Sequence, residues 1–135
     1  MDERILKFIL KMNILTMAMS DENNEIYIAN AFYVFDEHNL SFIISSSKDS
    51  KHIKLAKLNK NIAISVYKNS KIKFLQGIQV KAIFKDALNF QKNMYYEKYP
   101  FAKFYKESEV FSLSIKWLKF TDNKLLLDKK LEFKI

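Results

Sequence analysis

Leu40-Ser41-Phe42-Ile43-Ile44-Ser45-Ser46-Ser47-Lys48-Asp49-Ser50-Lys51-His52-Ile53-Lys54-Leu55-Ala56-Lys57-Leu58 runs through three physical signals in succession. Leu40 to Ile44 is an apolar run of strand length. Ser45 to His52 carries a hydrogen-bonding or charged side chain at every position, and four of the eight are serines. Ile53 to Leu58 has the spacing of a short helix, with Ile53, Leu55, Ala56 and Leu58 available to a core. Lys51, Lys54, Lys57 and Lys60 share one broad face, which water alone explains. A strand that passes through a Ser/Lys-rich turn into a helix can aim hydroxyls, ammonium groups and free backbone N–H groups at one point. That point suits a phosphate. The same composition also describes a solvated loop with a helix N-cap.

Upstream of this stretch, Glu25 to Phe35 (EIYIANAFYVF) is rich in β-branched and aromatic residues and apolar on both faces except for Asn30 at its centre. Ile14 to Met19 is also β-like. The polar turns Ser20–Asn24 and Asp36–Asn39 join these segments to Leu40–Ile44 as an antiparallel meander. Before them, Ile5, Phe8, Ile9 and Met12 recur at helical spacing, predicting an amphipathic opening helix over Asp2–Met12.

Downstream, Ile62–Tyr67 reads as a strand. Ile72–Asp86 reads as a long one holding the sole glycine, Gly77, where a bulge or a close approach by another group is expected. Leu88–Tyr99 reads as a helix ended by Pro100. Its aromatic cluster (Phe90, Tyr95, Tyr96, Tyr99, Phe101, Phe104, Tyr105) suits core packing and dimer contacts. Phe111–Trp117 alternates cleanly, with Trp117 read as core. Phe120–Asn123 reads as a turn and Leu131–Ile135 as a closing strand. The expectation is mainly β: about six antiparallel strands and a few helices in a closed or partly closed barrel, one domain over residues 1–135.

Composition narrows the function. There is no cysteine, which excludes disulfides and thiolate chemistry, and the two histidines, His38 and His52, give no metal site. No apolar run approaches the roughly 20 residues of a membrane span. The N-terminus lacks a signal-peptide pattern, so a cytoplasmic location is expected. The net charge of +8 comes from dispersed side chains, all but one of the 23 basic residues being Lys. Arg is the preferred base reader, so nucleic-acid binding is not expected. No nucleophile elbow, Walker loop or Gly-rich dinucleotide fingerprint is present. What remains is a set of neutral polar residues at strand positions: Asn30, Ser45, Ser46, Gln76 and Ser112 or Ser114. Such donors and acceptors suit a planar heterocycle with amide-like edges, and equally the satisfied polar residues of an ordinary strand.

Four motifs then carry a resemblance across nearly the whole chain. They are Ala29-Asn30-Ala31-Phe32-Tyr33-Val34-Phe35-Asp36, Gly77-Ile78-Gln79-Val80-Lys81, Tyr99-Pro100-Phe101-Ala102 and Lys119-Phe120-Thr121-Asp122-Asn123. In this order they resemble the pyridoxamine 5'-phosphate oxidase-like split barrels that bind FMN, and within them the uncharacterised YhbP-type family. The resemblance implies a six-stranded antiparallel split barrel that forms a homodimer, with FMN at the subunit interface. It implies a strand-end hydroxyl pair at Ser45 and Ser46, phosphate contacts from Ser50, Lys51 and His52, and a flavin ring near Asn30, Ala31 and Phe32. A strand glutamine that reaches the cofactor falls at Gln76.

Three departures are visible. Asn30 stands where the oxidases place an arginine, and Phe35 where they place a phosphate-contacting lysine. Each missing charge-assisted bond is worth roughly 1.5–3 kcal/mol, so phosphate binding should be weaker. Leu126-Leu127-Asp128 replaces a glycine-containing turn. The implied function is a flavin-dependent oxidoreductase of unknown substrate with no assignable catalytic side chain. The alternatives are a flavin or haem carrier, with His38 or His52 as haem ligand, and a cofactor-free dimeric interaction module.

Overall fold

The computed structural model describes residues 1–124 and 130–135; the Leu126-Leu127-Asp128 departure lies outside them. Helix α1 (Glu3–Lys11) starts at Asp2, whose carboxylate accepts from the Arg4 backbone N–H at 2.8 Å and is held by the Arg4 guanidinium. Ile5, Phe8 and Ile9 are buried, as their spacing predicts. The meander follows as β1 (Ile14–Ser20), β2 (Ile26–Asp36) and β3 (Ser41–Ser47). Helix α2 (Lys51–Leu58) leads to β4 (Asn61–Lys68), then a 3-10 turn over Ile72–Phe74 and β5 (Gln76–Asp86). After α3 (Asn89–Lys98) and a second 3-10 turn (Pro100–Phe104), β6 (Ser108–Asp122) and β7 (Lys130–Lys134) complete the described chain.

Every described pairing is antiparallel, in the order β3-β2-β1-β4-β5-β6-β7, and a further β3–β6 pairing closes six of the strands into a barrel. Closure is possible because β6 is 15 residues long. Its first half pairs with β3 and its second half with β7, while β5 follows it on the other side. The barrel is filled by the alternate residues of each strand, among them Leu15, Met17, Phe42, Ile44, Ile64, Val80, Leu113 and Phe120.

Several sequence expectations change here. Ser45–Ser47 belong to β3, so the loop before α2 shrinks to three residues, Lys48, Asp49 and Ser50. The long strand read from Ile72 begins at Gln76. Phe120–Asp122 is no turn but the end of β6, paired with Ile78, Gly77 and Gln76. Gly77 sits in regular register opposite Tyr67; the reason for glycine is close approach, since a Cβ there would lie 3.2 Å from the Val66 carbonyl oxygen. The bulge is elsewhere: Lys81 pairs with Trp117 and Ala82 with Ile115, leaving Lys116 as the extra residue. That one-residue slip turns Trp117 out of the core. It is half-buried on the outer face with the Lys81 ammonium 5.3 Å from its ring.

One buried polar knot fixes the outer layer. Asp36, at the end of β2, accepts from the backbone N–H groups of His38 and Asn39 at 3.1 and 3.2 Å and from Asn39 Nδ2 at 2.8 Å. Gln91 of α3 donates to the same carboxylate at 2.9 Å and accepts from the Leu88 backbone N–H. Asp36 and Gln91 are each only 2% exposed. Burial works against the Asp36 charge, but the four donors outweigh it and hold the carboxyl below its ordinary range.

Candidate functional site

β2 and β3 form a ladder only over Tyr33–Asp36 and Ser41–Ile44. Beyond Ile44, β3 stays with β6, while the earlier part of β2 stays with β1. The barrel is therefore split between Ala31–Phe32 on one side and Ser45–Ser47 on the other. Helix α2 fills the inner side of the split with Ile53 and Ala56, both fully buried, and packs on β1 and β2. Ala29 and Ala31 of β2 are partly buried against the same core that Ile53 and Ala56 enter. On the outer side α3 spans the gap. The Tyr95 hydroxyl lies 3.4 Å from the Phe32 carbonyl oxygen and within hydrogen-bonding reach of the Ser45 backbone. Tyr99 donates to the Tyr33 carbonyl at 2.7 Å, and Lys98 to the same oxygen at 3.3 Å. Burial pushes the Tyr95 hydroxyl up to about 12; it donates at neutral pH.

At the α2 end of the split the polar residues converge. Ser46 Oγ is 2.6 Å from His52 Nε2, and Ser50 Oγ is 3.4 Å from the same nitrogen. Burial lowers the His52 pKa, which favours the neutral imidazole at pH 7, hydrogen-bonded to Ser46 through Nε2. Ser50 occupies the N-cap position of α2 but makes no side-chain capping bond; its hydroxyl donates to the Ser47 carbonyl at 2.7 Å. Among the described residues nothing takes the first-turn N–H groups of Lys51, His52 and Ile53. The Lys51 ammonium lies 4.8 Å from the centre of the Tyr27 ring. An anion at this point would meet an open helix N-terminus, two hydroxyls and one ammonium.

The structure thus brings Ser45, Ser46, Ser50, Lys51 and His52 together, with Ala31 and Phe32 on the facing edge. Lys48 and Asp49 are exposed turn residues. Asn30 stands on the outer face of β2, accepting from the Thr16 hydroxyl at 2.6 Å. Phe35 is core, edge-on to Phe42, so no cation could serve from that side chain's place. Gln76 is not in this group within one chain: it pairs with Asp122, at the opposite end of β6 from Ser47's partner Ser108, and donates to the Asp122 carboxylate at 2.9 Å.

Register supplies a different glutamine. Asn30 pairs with Thr16, Thr16 with Ser65, and Ser65 with Gln79, giving a polar row on the outer face across four strands. Around it lie exposed apolar side chains, Ile14, Ile26, Ile28, Phe32 and Tyr67. Gln79 belongs to the Gly77–Lys81 motif, but only strand pairing puts it in line with Asn30. Tyr95 and Tyr99, four apart on one helix face, were the available signal for the bridge across the split. Tyr27 gave none.

Among the described residues no three His, Asp or Glu side chains gather as a metal site, and no helix is long and apolar enough to cross a membrane.

A closed six-stranded barrel opened on one side, with helices in and over the split, defines the split-barrel class of the pyridoxamine-phosphate-oxidase type. Solved structures with this fold include Campylobacter jejuni ChuZ (TM-score 0.79, 14% identity, covering 98% of this chain and 58% of that one). A haem-binding protein of Mycobacterium smegmatis aligns with TM-score 0.77 at 10% identity, over 91% of this chain and 53% of that one. A Clostridium acetobutylicum protein related to general stress protein 26, of the pyridoxinephosphate oxidase family, gives 0.71 and 15%, over 100% and 97%. No family model matches the chain. By sequence it is 54% identical to a UPF0306 protein of Campylobacter jejuni over 133 residues, 98% of both chains. The chain belongs to the UPF0306 family.

Proposed function

We propose that this protein is a flavin-binding, FMN-type split barrel of the YhbP kind, acting in the cytoplasm as an oxidoreductase on a substrate yet to be identified. The observation that carries this reading is the cluster of Ser46, Ser50, Lys51 and His52 around an uncapped α2 N-terminus. These residues would hold the phosphate. Asn30, Thr16, Ser65 and Gln79 offer neutral partners of the kind a flavin ring edge requires. When bound, the flavin supplies the redox chemistry, and the protein supplies binding, orientation and access. With one ammonium and no guanidinium at the phosphate, the affinity should fall below that of a site with three cations.

The homodimer belongs to the same proposal. Ile14, Ile26, Ile28, Phe32 and Tyr67 leave a broad apolar sheet face uncovered beside the polar row. A second copy across this face would enclose a ring lying on it. Light scattering should give twice the chain mass.

Haem carriage is the second reading, favoured by the haem-binding neighbour. The commitment of His52 Nε2 to Ser46 argues against His52 as ligand, and His38 is an exposed turn residue. The absorption spectrum of purified protein separates the readings: a flavin doublet supports the first and a Soret band the second. A colourless dimer that neither FMN nor haem converts would overturn both and leave the interaction module.

A further inference from the structure

The opposite end of the barrel carries a second polar opening that the cofactor reading leaves unused. Lys68, Gln76 and Asp122 are register partners on β4, β5 and β6. They lie one inward row beyond the buried Val66, Ile78 and Phe120, and so form the last row at the barrel mouth. Helix α1 lies across this mouth. Its Arg4, Lys7, Phe8 and Lys11, on one helical stripe, border a cleft of about 240 Å³ together with Gln76, Phe120, Asp122 and Lys124. The Phe8 and Phe120 rings, 5.6 Å apart, are its floor.

The charges in this cleft are poorly balanced. Arg4 is held by Asp2 at 2.9 Å. Among the described residues, Lys7, Lys11, Lys68 and Lys124 have no carboxylate within ion-pair distance. The Asp122 carboxylate is already engaged by neutral donors, Gln76 Nε2 and the Lys124 backbone N–H, each at 2.9 Å. At the rim, the neighbouring Lys11 and, more weakly, Lys124 hold the Lys68 ammonium below its ordinary range, with the Asp122 carboxylate opposing them. Lys7 and Lys11 of α1 and Lys124 beyond β6 line the cleft over an apolar floor beside a single carboxylate, Asp122, and leave an excess of positive charge that a bound anion would relieve.

We propose that this mouth is an anion-binding site for a small phosphorylated molecule, its phosphoryl group held by Lys7, Lys11 and Lys124. Gln76 has a second amide hydrogen to donate beside them, and Asp122 limits the room for negative charge to one group. The cleft is smaller than the roughly 300–1,000 Å³ of drug-sized ligand sites, which selects against a flavin or dinucleotide. Lysines read phosphate as point charges, so the site recognises charge and size more than a fixed geometry.

The test is amide-resolved NMR titration of the full chain with inorganic phosphate and, separately, glycerol 3-phosphate. Saturable shifts confined to α1, Lys68, Gln76 and Lys124 are expected, and tighter binding of glycerol 3-phosphate would mark the ligand as an ester. The Lys7→Ala/Lys11→Ala variant should bind about tenfold or more weakly. Both positions are exposed on a helix, where alanine is the best former, so the fold should survive. A charge-matched Lys54→Ala/Lys60→Ala variant, altered on α2 and at the opposite end of β4 from Lys68, should bind as wild type. Shifts that never saturate and spread over all lysines, or equal loss in both double variants, would overturn the site and leave only a general counter-ion atmosphere.

Discussion

The split between β2 and β3 and the mouth under α1 are both polar openings in one apolar barrel, and they are polar in opposite ways. The split is built of neutral groups, each with an aimed partner: Ser46 on His52, Ser50 on the Ser47 carbonyl, Tyr95 between Phe32 and Ser45. It holds two ammonium groups, Lys51 at the α2 end and Lys98 donating to the Tyr33 carbonyl. The mouth holds Lys7, Lys11, Lys68 and Lys124 with no ion-pair partner among the described residues, while Asp2 holds Arg4 and Asp122 accepts from Gln76 and the Lys124 backbone N–H. Direction comes from backbone register and helix ends, so it appears where strands part and a helix begins. Charge needs only side chains long enough to converge, so it appears at a rim.

The largest effect should come from loosening the layer that spans the split. Gln91→Ala removes a buried donor from a carboxylate and should cost about 1.5–3 kcal/mol in urea denaturation. The mouth's counterpart, Gln76 donating to the Asp122 carboxylate at 2.9 Å, is only partly buried and has two donors where Asp36 has four. Asp36 adds a pH dependence. Its folded pKa is depressed, so its stabilisation is present above the ordinary value of 3.8 and lost as pH falls below it. The stability gap between wild type and Asp36→Asn should close over that acid range.

Next in size, Lys51→Ala should weaken FMN about ten- to a hundredfold in a fluorescence titration, the worth of one charge-assisted bond. Unchanged affinity would mean that the phosphate lies elsewhere. Tyr95→Phe should cost about 0.5–1.5 kcal/mol of stability, because it deletes one hydroxyl bridging the two edges. Gln79→Ala should lower flavin affinity while Gln76→Ala leaves it unchanged, which sharpens the division between split and mouth.

The smallest effect concerns His52. Its folded pKa is lowered by burial, so above the ordinary value of 6.5 it contributes no pH dependence. Below 6.5 the unfolded chain takes up the proton first, and stability falls with pH. His52→Gln should flatten that slope in thermal melts between neutral and mildly acid pH.

Much of the fold was legible from periodicity. The spacing of Ile5, Phe8 and Ile9 gave α1, and alternation gave β4 and the first half of β6, because burial on one face leaves that trace in any single segment. Trp117 was not legible. Alternation predicts it inward, but the extra residue at Lys116 reverses the pattern, and a bulge has no reliable local signature. Ser45–Ser47 failed for a related reason: β-propensity is weak against serine, and pairing with Val110, Glu109 and Ser108 overrides it. Among the candidate site residues, the spatial grouping of Ser46, Ser50 and Lys51 was legible because they are close in the chain. Gln76 and Gln79 differ by three residues along a strand, and only register tells which one aligns with Asn30.

The sequence by itself determined a barrel-forming chain of antiparallel strands, an amphipathic opening helix and a Ser/Lys-rich junction between strand and helix. These follow from side-chain period and local turn chemistry, which act within a dozen residues. The tertiary structure decided where β2 parts from β3, that α3 bridges the gap, that His52 is half-buried beside Ser46, and that Lys7 and Lys11 share one cleft with Lys124. Those are juxtapositions of residues far apart in the chain, set by strand register and helix packing, and no local pattern encodes them.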